Sequence, residues 1–409
     1  MPGLQTTIAA LERQRKQWEA FLRMMPGAVS SRERPDVPSR LTAVPEFGPD
    51  PGGLRMYKYV PKKPNMSLVV VLHGCTQTAA SYDLGAGWST LADRYGFLLV
   101  FPEQTEANNP KTCFNWFREH DATRGEGEAA SIRQMIRKMT EDHAVDPKRI
   151  FVTGLSAGGA MTAVMLATYP EVFAAGAIVA GLPYKSATGM RQALESMFRV
   201  KVREPKEWGD LVRAASPHRG PWPRVSVWHG GADTVVKPKN AEELLKQWTD
   251  VHGLSTRPNR TETVDGYPRH VWTDAKGRDV IESYIIPLMA HGAPVATGDD
   301  DTSYGVPGEY LIEVGISSSY HIARFFGLTQ TRRTIVDPFA GERPAPRVES
   351  PKVAPTAATT APPHRERGAD PQPAQPTAPG APRRRPGVQK FVEDTIRRAL
   401  DAAGLKKRR

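Results

Sequence analysis

The feature that most constrains the fold is a series of short apolar runs without regular polar alternation. Five of them lie between residues 68 and 233, namely LVVVLHG, GFLLVFPE, RIFVTG, AAGAIVAG and RVSVWHGGAD. Such runs are typical of strands that are buried on both faces of a parallel sheet. Segments with the apolar spacing of helices separate them, such as SYDLGAGWSTLADRYG, which is predicted as one helix between the first two runs. The alternation predicts an α/β protein, in which helices cover both faces of a mostly parallel sheet.

Composition divides the 409-residue chain into five segments. Residues 1–26 have the apolar spacing of an amphipathic helix, and residues 27–54 are predicted as a linker. The α/β domain is predicted over residues 55–335. Residues 336–386 are rich in proline and almost free of large hydrophobic side chains, so we expect a disordered linker there. Residues 387–409 are predicted as a basic amphipathic helix.

The positive charge of the chain is concentrated near its C-terminal end. Residues 341–409 hold 15 Lys and Arg against 7 Asp and Glu, a surplus of +8 out of a net charge of +11. The rest of the chain is nearly neutral, which disfavours nucleic acid as a general partner. The terminal helix has two interpretations. In the first, it docks on the α/β domain or on another subunit. In the second, it contacts an anionic or apolar surface such as a membrane or granule.

Cysteine usage and the N-terminal segment bear on the compartment. Cys75 and Cys113 are too few for a disulfide framework, which leaves free thiols and a single bridge both open. The N-terminal segment carries Glu12 and Arg13 where a signal peptide is apolar, and no run approaches the ~18 apolar residues of a transmembrane helix. We therefore expect a cytoplasmic protein. No zinc-ligand spacing, phosphate-binding loop or dinucleotide fingerprint occurs, so we expect no metal and no organic cofactor.

The hexapeptide GLSAGG contains the strongest catalytic signal. It fits the pattern G-x-S-x-G around Ser156, follows a predicted strand and precedes a predicted helix. In that context the motif forms a sharp turn that presents the serine hydroxyl above the sheet as a nucleophile. The alternative is an ordinary glycine-rich turn between a strand and a helix.

Two further strand ends carry the residue types that a nucleophilic serine requires. Asp233 is the last residue of the run VSVWHGGAD, and His291 lies in a loop after YIIPLMA. An imidazole base oriented by a carboxylate completes a triad, and the chain order Ser, Asp, His is that of α/β-hydrolases. The simpler alternatives are a turn aspartate and an exposed loop histidine. His270 is a competing base, whereas His229 and His73 are interpreted as structural.

The motif LHGC provides the remaining catalytic element. It ends an upstream strand at Cys75. The backbone N–H of Cys75 and that of Ala157, which follows the serine, are predicted to bind the oxyanion of a tetrahedral intermediate.

With these motifs the sequence resembles the polyhydroxybutyrate (PHB) depolymerase family of esterases over roughly residues 55–328. The matching stretches include VVVLHGCTQTAASYD, CFNWF, DPKRIFVTGLSAGGAMTAVMLATYPEVFAAGAIVAGLPY, VSVWHGGADTVV, MAHGAPV and SYHIARFFG. The resemblance implies an α/β-hydrolase fold and ester hydrolysis through an acyl-enzyme, with Ser156 as nucleophile, Asp233 as acid and His291 as base. It also implies a disulfide between Cys75 and Cys113. That bridge conflicts with a cytoplasmic location, where thiols are normally reduced, and many relatives are extracellular.

Five residues are candidate substrate contacts. They are Gln77, Tyr82, Asn115, Trp116 and Trp222. The first two follow the LHGC motif, the next two lie in CFNWF, and Trp222 precedes the strand that leads to Asp233. For the aromatic side chains the simpler interpretation is a place in the core.

The predicted function is hydrolysis of short-chain poly(3-hydroxyalkanoate), poly(3-hydroxybutyrate) or its oligomers. One alternative is a general short-chain or feruloyl-type carboxylesterase with no role on a polymer. An alternative from another class is an adaptor with an inactive hydrolase body, bound through its tail to a granule or to nucleic acid.

Overall fold

In residues 39–329, the part of the chain that the computed structural model describes, the apolar runs form the middle of a ten-stranded sheet. A separate pair of short strands makes a second sheet. The strands are β1 (Thr42–Val44), β2 (Arg55–Tyr59), β3 (Leu68–Leu72), β4 (Leu98–Glu103), β5 (Ile150–Leu155), β6 (Ala175–Val179), β7 (Arg224–Gly230), β8 (Arg260–Val264), β9 (Tyr267–Thr273), β10 (Asp279–Ile286), β11 (Ala293–Val295) and β12 (Leu311–Glu313).

The large sheet has the order β1-β2-β4-β3-β5-β6-β7-β10-β9-β8. Its six central strands, from β4 to β10, run parallel. The pairs at both ends are antiparallel. Every residue of β3, β5 and β6 is buried, because helices cover both faces of the sheet there. The predicted α/β fold with a mostly parallel sheet is confirmed.

Eight α-helices accompany these strands within residues 39–329. They are α1 (Ala79–Ala86), α2 (Trp88–Tyr95), α3 (Gly127–Asp142), α4 (Ala157–Thr168), α5 (Met190–Phe198), α6 (Pro205–Arg213), α7 (Lys239–Val251) and α8 (Ser318–Phe326), with a 3₁₀ turn at His120–Ala122. The segment predicted as one helix between β3 and β4 is two helices, because Gly87 between them adopts a φ of +74°.

The side chains of β3 divide between two apolar cores, one on each face of the sheet. Leu68, Val70 and Leu72 join the core that includes side chains of α3, α4 and α7. Val69 and Val71 join the other core, with side chains of α1, α2 and α8. This alternation follows from the two-residue period of a strand.

Several predicted boundaries need correction. The predicted linker 27–54 is wrong in its second half, because β1 pairs with β2 and extends the sheet. The strand predicted to continue through YIIPLMA up to His291 ends earlier, at Ile286, and His291 lies in the loop that follows, as predicted. The hairpin of β8 and β9 and helices α5 and α6 were not predicted. The predictions for residues 1–26, 336–386 and 387–409 lie outside the described residues.

Helix α4 lies unusually close to β3, and the contact requires glycine. A Cβ atom on Gly158 would fall deep inside van der Waals distance of the carbonyl oxygens of Leu72 and His73. These oxygens belong to the main chain at the end of buried β3 and directly after it, so they cannot rotate away as a side chain could. The absence of a side chain at Gly158 therefore sets how closely the first turn of α4 approaches the sheet.

We expect Gly158→Ala to lower the free energy of unfolding by about 1–3 kcal/mol, because the new methyl group overpacks against backbone. Denaturant unfolding of the purified protein measures this. The control is Gly189→Ala, where a new Cβ meets no heavy atom within 4 Å. Equal stability of the two variants would contradict the interpretation.

Candidate active site

Ser156 occupies the sharp turn between β5 and α4. Its backbone has a φ of +56° and a ψ of −115°, and its amide donates to the Val179 carbonyl at 2.9 Å. A non-glycine residue at positive φ costs on the order of 1–3 kcal/mol, a cost that glycine avoids. A plain turn would be more stable with glycine here. The strained serine therefore favours the nucleophile over the simple-turn alternative.

A continuous hydrogen-bond chain joins the three predicted catalytic residues. The Ser156 Oγ lies 2.9 Å from the Nε2 of His291, and the Nδ1 of His291 lies 2.7 Å from the Oδ2 of Asp233. The structure thus brings together three side chains that are far apart in sequence. The competing base, His270, lies instead on β9, where its Nδ1 is 2.8 Å from the Thr261 hydroxyl.

The Asp233 carboxylate is fully buried and is held on both oxygens. Its Oδ1 accepts from the backbone N–H groups of Val235 and Val236, each at 2.8 Å. Burial raises the pKa of Asp233, but hydrogen bonding from His229 and His291 outweighs burial and holds that pKa well below its usual range. Asp233 therefore stays ionised, as a group that orients an imidazole must.

The loops that carry Asp233 and His291 are joined by backbone hydrogen bonds. The Gly231 amide donates to the Ile286 carbonyl at 2.7 Å, and the Ala232 amide donates to the Met289 carbonyl at 3.0 Å. Both bonds link the end of β7 to the end of β10. The distance between acid and base is therefore fixed by the backbone as well as by the side chains.

The predicted oxyanion loop is cross-linked to the loop that carries CFNWF. A disulfide joins Cys75 to Cys113. The Thr76 amide donates to the Lys111 carbonyl at 2.7 Å, and the Gly74 amide donates to the Gln77 side chain at 2.8 Å. These bonds fix the backbone around Cys75. Ala157, the other predicted oxyanion donor, is the first residue of α4, where the helix dipole favours negative charge.

The buried carboxyl group of Glu128 supports the loop that carries CFNWF. Glu128 accepts from the Asn115 and Gln104 side-chain amides at 2.6 Å each and from the Asn115 backbone N–H at 2.8 Å. Burial, reinforced by Asp121, raises the pKa of Glu128 to about 8, and the amide donors act against that rise. The backbone amide of Gln104 donates to His73, which agrees with a structural role for that histidine.

A cleft of about 390 Å³, partly open to solvent, lies beside Ser156. Its apolar lining includes four residues of α5, two aromatic residues and the disulfide. Besides Ser156 and the two cysteines, the lining residues are Trp116, Phe117, Ala157, Leu182, Met190, Ala193, Leu194, Met197 and Val236. No lining side chain in the described part of the chain is charged. The sequence analysis missed the α5 wall, although its apolar spacing of three and four residues was a usable signal.

One of the five predicted substrate contacts, Trp116, lines the cleft. Gln77, Tyr82 and Asn115 are not among the residues that line this cleft, and their contact with substrate stays a prediction. Gln77 accepts from the oxyanion loop, Tyr82 is buried in a core and Asn115 binds Glu128. Trp222 packs edge-on against His218, with ring centroids 5.0 Å apart, and its contact with substrate stays a prediction.

Neither a metal-binding cluster nor a membrane-spanning helix occurs in the described part of the chain. Among residues 39–329, no three or more His, Cys, Asp or Glu side chains are grouped so that they could hold a metal ion. In the same range, no helix has both the length and the apolar character needed to cross a bilayer.

The sheet order and the serine in the sharp turn after β5 are those of the α/β-hydrolase class, and comparisons with known proteins identify the chain as an esterase of that class. A family model described as "Esterase PHB depolymerase" matches residues 58–262. The chain is 47% identical over 291 residues to poly(3-hydroxyalkanoate) depolymerase C of Paucimonas lemoignei, and the alignment covers 70% of each. The chain therefore belongs to the PHB depolymerase family of esterases and is a carboxylic ester hydrolase.

Two other similar proteins have different names. Feruloyl esterase B of Talaromyces stipitatus is 36% identical over 247 residues, which cover 57% of this chain and 68% of that protein. The solved structure of acetyl xylan esterase from Aspergillus awamori matches with a TM-score of 0.59 at 25% identity, over 70% of this chain and 99% of that one. Family membership thus leaves the ester that is cleaved to be argued from the site.

We expect Asp233→Asn to lower kcat for a soluble p-nitrophenyl ester roughly 10⁴-fold, because the amide supports the wrong tautomer of His291. The pKa of Asp233 is lower in the folded protein than its ordinary 3.8. Its ionisation therefore stabilises the fold above about pH 4, and this stabilisation is lost as the pH falls further. The wild-type advantage in unfolding free energy should shrink from pH 7 to pH 3. A constant difference would contradict the lowered pKa.

We expect Cys113→Ser to lower the free energy of unfolding by about 2–5 kcal/mol, because the disulfide closes a loop between residues 38 apart. The kcat for the soluble ester should also fall, since the bridge fixes the backbone around Cys75. Thermal unfolding and ester kinetics measure the two effects. Treatment of the wild type with dithiothreitol should reproduce both, and an enzyme indifferent to reduction and substitution would refute this role.

Proposed function

We propose that the protein hydrolyses the ester bonds of poly(3-hydroxyalkanoate), in particular short-chain poly(3-hydroxybutyrate), or of its oligomers. The observation that carries the proposal is the uncharged, apolar lining of the cleft beside Ser156. An aliphatic polyester offers methyl and methylene groups to such a wall, whereas a sugar ester would leave its hydroxyl groups without partners there. The similarity to a poly(3-hydroxyalkanoate) depolymerase supports the same choice.

In the proposed mechanism, Ser156 attacks the ester carbonyl while His291 accepts the hydroxyl proton at Nε2. Asp233 holds the imidazole in the tautomer that can accept this proton and stabilises the imidazolium that results. The backbone N–H groups of Cys75 and Ala157 bind the oxyanion. Preorganised donors of this kind each contribute about 3 kcal/mol to lowering the barrier.

Collapse of the tetrahedral intermediate expels the alcohol, which takes the proton from His291, and leaves an acyl group on Ser156. Water then attacks the acyl-enzyme, with His291 again as base, and releases the acid. Because the acyl group stays beside Ser156, the apolar side chains around the serine bear on which acyl groups are accepted.

A second candidate is a carboxylesterase of the feruloyl type, with no role on a polymer. Trp116 and Phe117 line the cleft in an edge-to-face pair with ring centroids 5.5 Å apart, and aromatic walls of this kind suit an aromatic acid. The similarity to feruloyl esterase B supports this candidate. The two candidate functions differ in the ester that the cleft lining accepts. Both use the same three proposed catalytic residues.

The proposal also covers the compartment of the protein and the role of its C-terminal residues 387–409. The disulfide between Cys75 and Cys113 supports an oxidising compartment, and thus the extracellular alternative over the cytoplasm. Contact of the basic C-terminal helix with a granule or anionic surface stays part of the proposal, because residues 387–409 lie outside the described range.

A substrate panel with matched variants tests the proposal. We expect release of 3-hydroxybutyrate from amorphous polymer and its oligomers, and weaker hydrolysis of methyl ferulate and acetylated xylan. Ser156→Ala should lower kcat on the order of 10⁶-fold. The control is Ser283→Ala; Ser283 lies on β10, and its buried hydroxyl has no hydrogen-bond partner among the described residues. Hydrolysis of ferulate without polymer would favour the second candidate, and unchanged turnover by Ser156→Ala would overturn the triad.

A further inference from the structure

A second imidazole lies against the carboxylate of Asp233. His229 is the penultimate residue of β7 and has no exposed surface. Its Nε2 lies 2.8 Å from the carbonyl oxygen of Val236 and 3.4 Å from the Oδ2 of Asp233. Because a carbonyl oxygen can only accept, the hydrogen-bond network assigns the proton to Nε2. That N–H donates to Val236 and also points its positive end toward the carboxylate.

The other ring nitrogen shows that this arrangement is costly. The Nδ1 of His229 is buried and has no hydrogen-bond partner among the described residues. An unsatisfied buried polar atom costs about 1–3 kcal/mol. An apolar side chain at position 229 would avoid that cost. The donor at Nε2 is therefore the chemical property that distinguishes histidine from a plain core residue here.

The hydrogen bonds around His229 form a closed circuit with the loop after β7. The Val236 N–H donates to the Oδ1 of Asp233, and the Val236 carbonyl accepts from His229. His229 therefore holds the far end of the loop whose near end is Asp233. The side chain of Val236 also lines the cleft beside Ser156. A single N–H thus acts on both the acid of the triad and one wall of the cleft.

We propose that His229 is a positioning residue of the active site, whose Nε2–H fixes the Asp233–Val236 loop and shares the Oδ2 of Asp233 with His291. This inference rests on the triad roles given under the proposed function, and it concerns the soluble ester as much as the polymer.

The consequence for His291 follows from charge. Among the described residues, the titratable groups that act on Asp233 are His229 and His291. Without the N–H of His229, the carboxylate is less stabilised by its surroundings and attracts the protonated form of His291 more strongly. We therefore expect loss of this N–H to move the acid limb of the kcat/KM profile, which reports the base in the free enzyme, to higher pH.

The test compares substitutions at two buried histidines with a soluble p-nitrophenyl ester. His229→Leu removes the donor, and His229→Gln keeps an N–H at nearly the same position. The matched control is His321→Leu. His321 is also buried, pairs through Nε2 with Asp265 at 2.7 Å, and also has an Nδ1 without a hydrogen-bond partner in the described residues. It pairs with a surface aspartate rather than with a triad residue.

We expect His229→Leu to lower kcat about 10- to 100-fold, because loss of the donor displaces the acid. KM should change little, and the acid limb should move up by roughly half a pH unit. His229→Gln should recover most of kcat and return the acid limb of the kcat/KM profile to its wild-type pH. His321→Leu should lower the thermal unfolding temperature and leave kcat and the limb unchanged.

Two results would overturn the inference. One is a His229→Leu enzyme with wild-type kcat and with the acid limb of its kcat/KM profile at the wild-type pH. The other is a His229→Gln enzyme as impaired as His229→Leu on both measures, which would indicate a purely steric requirement. Should His229→Leu not fold, His229→Phe retains a ring without a donor and carries the same expectations. Full turnover by Ser156→Ala would instead overturn the proposed function itself.

Discussion

The site depends on the strained backbone at Ser156 and on the close contact that makes it possible. The positive φ of Ser156 aims the hydroxyl away from the sheet, and the surrounding structure must hold that conformation against its cost. Gly158 contributes by letting α4 approach the backbone of β3 without an intervening side chain. The same approach brings the N-terminus of α4 toward the end of β3, where the chain continues into the oxyanion loop. One packing contact therefore brings the positive end of the α4 dipole and the oxyanion loop together beside the strained serine.

The parallel sheet explains why the three residues of the proposed triad could be predicted from sequence. Ser156, Asp233 and His291 each follow a strand of the sheet, and the carboxyl ends of parallel strands meet at one edge. Strand ends can be located from apolar runs, so the three positions could be placed together without coordinates. Their roles are thus anchored in backbone topology rather than in long-range side-chain packing.

The substrate contacts were harder to predict from sequence, because they depend on the direction in which each side chain points. Gln77 and Asn115 lie in the predicted loops, but they turn inward to satisfy buried groups, the amide of Gly74 and the carboxylate of Glu128. A polar residue in a loop near a catalytic motif looks the same in sequence whether it faces substrate or supports the backbone. The wall from α5 was missed for a different reason. Its nine residues lie in a stretch whose glycines and prolines suggested irregular structure.

Burial of the Asp233 charge links stability to chemistry in this enzyme. An isolated carboxylate in the interior would be strongly destabilising unless paired and hydrogen-bonded. Here two backbone N–H groups hold one oxygen, and two imidazoles face the other. The donors that make burial tolerable also fix the carboxylate where His291 requires it. Since none of them has to reorganise when positive charge develops on the imidazole, the loop after β7 is preorganised for the transition state.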